Sequence, residues 1–356
     1  MNDNSQYFAS VLGNEALKKR LAKDVSEGML SHAYVLEGPE GSGRHTIALS
    51  VAAAMECEAK NELGAVDLFG EAVSSSIPCG RCKSCEKILG GKSPDIITVG
   101  LEEDRTTMGV ETIRDLKNDM FTAPNDLSIK VYIVENADLM TVQAQNAFLL
   151  SLEEPPQYVL FFLLCENSSN LLETVRSRAP TLRTERLTAK EIADHLLDTD
   201  NAARELKETA PEQWLSLLSV SQGSLGYAKR LLDPKVRASI FEYRDTAKSL
   251  IAMLSSRNKR KAFEAIASFG TKRPDVIRQI SYLQYALRDL LLLKKSENAP
   301  LCFFENRDEA AELATRYTAK GLFSLYDASL SAIDSLESNA NVRLTLLNMM
   351  MSAELL

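Results

Sequence analysis

The chain has 356 residues, 45% hydrophobic and 25% charged, with a net charge of −8. At about 150 residues per domain, this length predicts two or three domains that bury their own cores without cross-links. The negative balance excludes a protein that coats nucleic acid over its whole surface, and the longest apolar run, Tyr158 to Cys165, is too short for the about twenty residues that span a membrane.

Met1-Asn2-Asp3-Asn4 supplies neither a basic segment nor an apolar one that would make a leader, so the expected location is the cytoplasm. Ala33 to Glu37 reads as a short strand running into a glycine-rich turn. The alanine-rich stretch Thr46 to Met55 reads as a helix. Glu58 to Pro78 has no clear period and reads as an inserted surface excursion. Asp95 to Val99 is a second β-branched run. Val110, Ile113, Leu116 and Met120 are spaced for one helix face. Lys130 to Val134 is a third strand. Thr141 opens a helix with Ala144, Ala147, Phe148 and Leu152 on one side, ended by Pro155-Pro156. Val159 to Leu164 is apolar on both faces, as a central parallel strand would be. Strands alternating with helices predict an α/β domain with a parallel sheet.

Strand signals stop near residue 185. Thr188 and Glu191 form a capping box, and from there the pattern is helical to Leu356. Pro234 marks a boundary. Three units are expected: an α/β domain over 1–185, with a cysteine-bearing excursion over 57–93; a small helical domain over 186–234; and a helical C-terminal domain over 235–356.

Gly38-Pro39-Glu40-Gly41-Ser42-Gly43-Arg44-His45 has the glycine spacing of a phosphate-binding loop, between a strand and a helix. Backbone N–H groups of Gly38, Gly41 and Gly43 and the helix N-terminus suit phosphates. The next two positions should be Lys and Ser or Thr. Arg44 is cationic but forked, and His45 has no hydroxyl to place on Mg²⁺. The third strand should end in Asp-Glu and ends in Glu135-Asn136. Glu135 has some reach toward a metal, but neutral Asn136 cannot act as a base. Hydrolysis by this loop is not expected. Nucleotide binding stays open against a tight glycine turn with no ligand.

Six cysteines occur, and Cys79, Cys82 and Cys85 form a C-x₂-C-x₂-C run. In a reducing compartment that pattern predicts metal ligation. Cys57 is the natural fourth ligand, giving a structural zinc with no open position for catalysis. Arg81, Lys83 and Lys87 would temper the thiolate charge. Cys165 and Cys302 are expected to be packing residues in apolar surroundings.

Together these residues resemble the δ′ family of bacterial DNA polymerase III clamp-loader subunits, within the AAA+ superfamily. The matching segments are Val11-Leu12-Gly13-Asn14-Glu15, His32 to Pro39, the four cysteines, Asn146 to Pro156, Thr174-Val175-Arg176-Ser177-Arg178-Ala179 and Asn339 to Leu344. The resemblance implies an AAA+ domain, a helical lid and an all-α collar. It also implies that Arg178, in a motif read Ser-Arg-Cys in the family and ending in Ala179 here, acts in trans on ATP held by a neighbouring subunit. The sensor positions fall on Cys165 and Tyr227, neither of which is the residue an active ATPase carries. The implied partners are motor subunits, a δ subunit and, through the complex, a sliding clamp and primed DNA, with no membrane. The competing readings are an active motor ATPase of the same loader and a zinc-stabilised scaffold unrelated to replication.

Overall fold

The computed structural model describes residues 7–62, 76–101, 105–254, 269–299, 301–304 and 306–352. Most of the expected excursion over 58–78 lies outside them. The chain divides into two compact units, one of Met1–Glu191 with Gly223–Tyr227, the other of Ile192–Gln222 with Ala228–Leu356.

The first unit is built on five strands: β1 (Ala33–Glu37), β2 (Ile96–Val99), β3 (Lys130–Val134), β4 (Val159–Cys165) and β5 (Thr181–Arg183). All neighbours are parallel, in the order β2-β3-β4-β1-β5. β3 and β4 are buried at every position. Alternate residues feed two cores. Tyr34, Leu36, Val131, Ile133, Phe162 and Leu164 pack on one face with α1 (Glu15–Ser26) and α2 (Arg44–Met55). Val35, Tyr132, Val134, Phe161 and Leu163 pack on the other with α4 (Val110–Asp119) and α5 (Val142–Glu153). Helices covering both faces leave no room for polar residues, which explains the apolar runs.

The four strands expected from sequence are present, as are the helix over 110–119 and the helix capped by Thr141, whose Oγ1 accepts from the Ala144 N–H. The helix after the loop starts two residues earlier than expected, at Arg44. β5 was not expected. Its three residues have only one apolar side chain, and the strand forms because its backbone pairs with β1, with flanking bonds from Val35 N–H to Pro180 O and Thr184 N–H to Glu37 O.

Asp95, read as the start of a strand, has a different role. It is fully buried and accepts N–H bonds from Asn125, Asp126 and Leu127 at 2.7 to 2.9 Å. Burial alone would raise its carboxyl, but the three donors outweigh this and hold it below the usual carboxylate range. Asp95→Asn turns an amide toward those donors and is expected to cost about 2–3 kcal/mol in urea unfolding at pH 7. A group with a lowered folded pKa stabilises above its unfolded value and loses that contribution as pH falls through the folded one. The gap between wild type and variant should therefore narrow below about pH 4.

The capping box at the end of the first unit is formed, with the Thr188 N–H on Glu191 Oε2 at 2.7 Å and the Glu191 N–H on Thr188 Oγ1 at 3.2 Å. The second unit is helical. Its larger core joins the helices Pro234–Leu254, Arg273–Lys295, Arg307–Thr315, Ala319–Glu337 and Val342–Ser352. No helix among the described residues is long and apolar enough to cross a membrane. Cys302 departs from the apolar surroundings expected for it. Its backbone N–H and thiol face buried Asp289, and its sulfur lies 2.8 Å from Arg288 Nη1. Burial pushes that thiol up to about 11, helped by the Asp289 charge, which makes it an inert sulfur.

Candidate functional site

Strand order places the phosphate loop. β1 and β4 are neighbours with Glu37 opposite Cys165, while the chain between them makes β2 and β3 farther out. The loop after β1 therefore stands at the carboxyl ends of the strands, where the direction of winding changes, which is where ligands bind in open α/β sheets. Gly38 N–H is fixed on Cys165 O at 3.0 Å. Gly41 and Gly43 have φ of 73° and 90°, left-handed values that glycine alone adopts readily. A Cβ at Gly41 would lie 2.7 Å from the Tyr227 nitrogen. The segment Gly223–Tyr227 also binds the loop directly: Ser224 Oγ donates to Glu40 O at 2.8 Å and Gly226 N–H to Gly41 O at 2.9 Å. The loop is thus held in shape by its own chain.

The side chains beyond it diverge from an ATPase site. Arg44, at the position of the usual lysine, is not exposed, and its Nη1 is buried with no hydrogen-bond partner. His45 Nε2 lies 3.9 Å from Glu135 Oε1, and an imidazole thus occupies the sequence position at which a phosphate loop carries its Mg²⁺-binding hydroxyl. Asn136 turns left-handed, with φ of 51°, and caps a short 3-10 turn. Cys165 is fully buried; burial first, with Asp138 and Glu37 adding, raises its thiol to about 12, while Arg44 pulls the other way. The loop residues fit a phosphate chain, through an orphaned guanidinium nitrogen and left-handed glycines. They do not fit Mg²⁺ with its tethering hydroxyl.

The four cysteines come together. Cys57 follows α2, Cys79 and Cys82 bracket a turn with Gly80 at φ 72°, and Cys85 stands in the first turn of α3 (Lys83–Leu89). Their Sγ atoms all lie within 4.8 Å of one another. Tetrahedral Zn–S bonds of about 2.3 Å put sulfurs about 3.8 Å apart, so the set fits zinc with a slight contraction. The Cys79 N–H points at Cys57 Sγ at 3.3 Å. Burial works against the Cys79 thiolate, but N–H groups of Arg81 and Cys82 and the Cys57 thiol bring it down to about 7. Burial raises Cys57 and Cys85. Arg81 and Lys83 are exposed beside the cluster, whereas Lys87 is engaged by Asp126 at 2.7 Å.

Arg178 lies elsewhere. It follows the short helix α6 (Glu173–Arg176), on the amino-terminal side of β5. Its Nη2 pairs with Glu153 Oε1 at 2.6 Å, at the end of α5, and its Nη1 donates to Thr174 O at 3.0 Å. Both charged side chains are about 35–43% exposed. The loop Gly38–His45 stands at the opposite, carboxyl ends of the strands.

A family profile described as DNA polymerase III, delta subunit, matches residues 13–188, and one described as DNA polymerase III, delta subunit, C terminal, matches residues 242–354. The chain belongs to the clamp-loader subunit family of DNA polymerase III. Members similar to it include the tau subunit of Bacillus subtilis, 26% identical over 338 residues that cover 90% of this chain and 57% of that protein. The delta′ subunit of the same organism is 32% identical over 182 residues, covering 51% of this chain and 50% of that one. The chain thus spans about half the length of these relatives. A gamma subunit-related protein of Thermotoga maritima superposes over 96% of this chain and 98% of its own, at TM-score 0.43 and 19% identity. In this clamp-loader chain the parallel sheet with helices on both faces and the helical C-terminal unit are the α/β and all-α parts expected from sequence.

Proposed function

We propose that this chain is the δ′-type subunit of a DNA polymerase III clamp loader: a non-hydrolysing member that lends Arg178 to ATP bound by a neighbouring motor subunit. The reading rests on one asymmetry. The chain's own loop has Arg44-His45 and Glu135-Asn136 in place of the lysine, hydroxyl and carboxylate pair of an ATPase, while Arg178 stands at the other end of the sheet, half-exposed, on a weak tether. A side chain so placed cannot serve its own loop. It can meet a phosphate brought by another protein.

In that role Arg178 would exchange Glu153 for oxygens of the transferring phosphoryl group. A guanidinium is always charged and offers a planar fork of N–H donors, so it meets growing negative charge without reorganising. This chain would act as a fixed wall in a ring held by the collar over 235–356. Motor subunits and a δ subunit would be its direct partners, the sliding clamp and primed DNA its indirect ones, and the cytoplasm its location. The cysteine set would hold a structural zinc.

The motor-subunit reading has support in the 90% coverage of this chain by a tau relative. Nucleotide turnover by the purified chain decides between the two. No turnover above background is expected, because phosphoryl transfer depends on metal and phosphate positioning that this loop lacks. Robust hydrolysis would establish the motor reading instead.

A further inference from the structure

The helix Arg273–Lys295 has two sides of different chemistry. Its inner side carries Val276, Ile280, Leu283, Leu287 and Leu290 into the larger core of the second unit. Its outer side is cationic and aromatic. The exposed charged residues of this helix are Arg278, Arg288, Lys294 and Lys295, all positive, on a chain whose net charge is −8. Its two acids are engaged elsewhere. Asp289 is fully buried and accepts the N–H groups of Cys302, Phe303 and Phe304, and half-buried Asp275 accepts the Tyr243 hydroxyl at 2.9 Å. Helical spacing puts Arg278, Tyr282, Tyr285, Arg288 and Lys295 on one side. Between the two guanidiniums runs a row of rings. Tyr243, from the helix Pro234–Leu254, stands 6.2 Å from Tyr282 at 36°, and Tyr282 stands 6.1 Å from Tyr285 at 73°. Rings at these distances brace one another, so Tyr285, 40% exposed, is presented from a fixed base.

We infer that this side of the helix, from Arg278 to Lys295, is a docking face for single-stranded DNA: the tyrosines take bases and the cations take phosphates. Every base has a π-face, so stacking on tyrosine tolerates any sequence, and a neighbouring guanidinium strengthens it. Arg278, Arg288 and Lys295 release counterions from the strand they meet, which supplies affinity that the chain as a whole, being negative, does not. Their span of about 25 Å has room for about four nucleotides of extended strand. An acidic protein segment would satisfy the cations but leave the row of rings without planar partners. The inference goes beyond the proposed function, in which DNA is reached only through the complex, and its failure would leave the role of Arg178 untouched.

Fluorescence anisotropy of a labelled oligothymidine of about twelve nucleotides, titrated with the full chain, tests it. A Kd of about 10⁻⁵ M or tighter is expected at about 50 mM salt, weakening about 15- to 20-fold at about 200 mM, as three phosphate contacts require. A duplex of the same length should bind more weakly, because its bases are not open to the rings. Tyr285→Ala should weaken oligothymidine binding about fivefold or more with the salt slope unchanged. Arg278→Gln with Lys295→Gln should lower that slope by about 1 or more. No rise in anisotropy at about 10⁻⁴ M chain overturns the inference, as does a duplex bound as tightly as the single strand. Variants that bind like wild type would place the strand elsewhere and also overturn it. If Tyr285→Ala instead removes the chain from a reconstituted loader while oligothymidine binding is unchanged, the face is a protein contact and the inference falls. The comparison of single strand with duplex needs no variant, so it stands even if a substitution harms folding.

Discussion

If Arg178 acts in trans as proposed, Arg178→Ala is expected to leave the chain folded and able to assemble, and to slow ATP hydrolysis at the neighbouring motor site by about 10³-fold or more. The two energies in play differ widely. The Arg178–Glu153 pair is partly exposed, and such pairs stabilise by about 1 kcal/mol or less. A thousandfold effect on rate corresponds to about 4 kcal/mol. Release from Glu153 is therefore cheap compared with what the transition state returns, and loss of the side chain costs turnover much more than stability. In a reconstituted loader, size-exclusion chromatography should show the variant in the complex, while steady-state turnover falls by at least the share of that site. Arg178→Lys should recover little, because a single ammonium cannot reproduce the fork. An assembled variant complex that hydrolyses ATP like wild type would remove the proposed role.

How far the sequence reached depended on whether a feature was local. β3 was readable to its ends because both faces of the strand are buried and every side chain is apolar or, like Lys130, tied down: its ammonium is bound to Asp119 and the Thr122 carbonyl. β5 was unreadable for the opposite reason. Thr181-Leu182-Arg183 carries no pattern, and the strand exists only through the hydrogen bonds that β1 offers. Local spacing also named the cysteines, and the fold brings Cys57 to the other three across an excursion it could not evaluate. Substitutions at Arg44 and His45 were visible as departures from a motif. That His45 faces Glu135, that Arg44 is sheltered without a partner, and that Glu153 holds Arg178 each depend on residues 25 to 90 positions apart or on the absence of one, and sequence spacing carries no such information. Cys302 was misjudged on the same ground. Its neighbours in sequence are apolar, but Asp289, in the helix Arg273–Lys295, collects the N–H groups of Cys302, Phe303 and Phe304.

Cys79→Ser with Cys82→Ser is expected to reduce bound zinc from one equivalent per chain to none, measured by plasma mass spectrometry on protein purified without chelator. Two thiolates cannot hold a structural zinc against water and cellular thiols, since such sites need four ligands. Loss of metal should not unfold the sheet. Cys57 and Cys85 are buried in the core shared by α1, α2 and one face of the sheet, and as neutral thiols they remain small apolar side chains there. What loses support is the turn carrying Cys79 and Cys82, which lies between buried Ile77, whose carbonyl accepts from Phe8 N–H, and the start of α3, and is itself tied by one N–H bond to Cys57 Sγ. Far-UV circular dichroism should thus match wild type, while limited proteolysis should cut the variant between residues 76 and 92, where wild type resists. The energetic loss should fall well below the about 10–16 kcal/mol by which zinc holds isolated zinc-finger peptides together, because here the metal would close one turn on a domain that already has its core. One equivalent of zinc retained by the double variant would refute the ligand set, and a collapsed sheet would show that the metal supports the whole α/β domain instead of this turn.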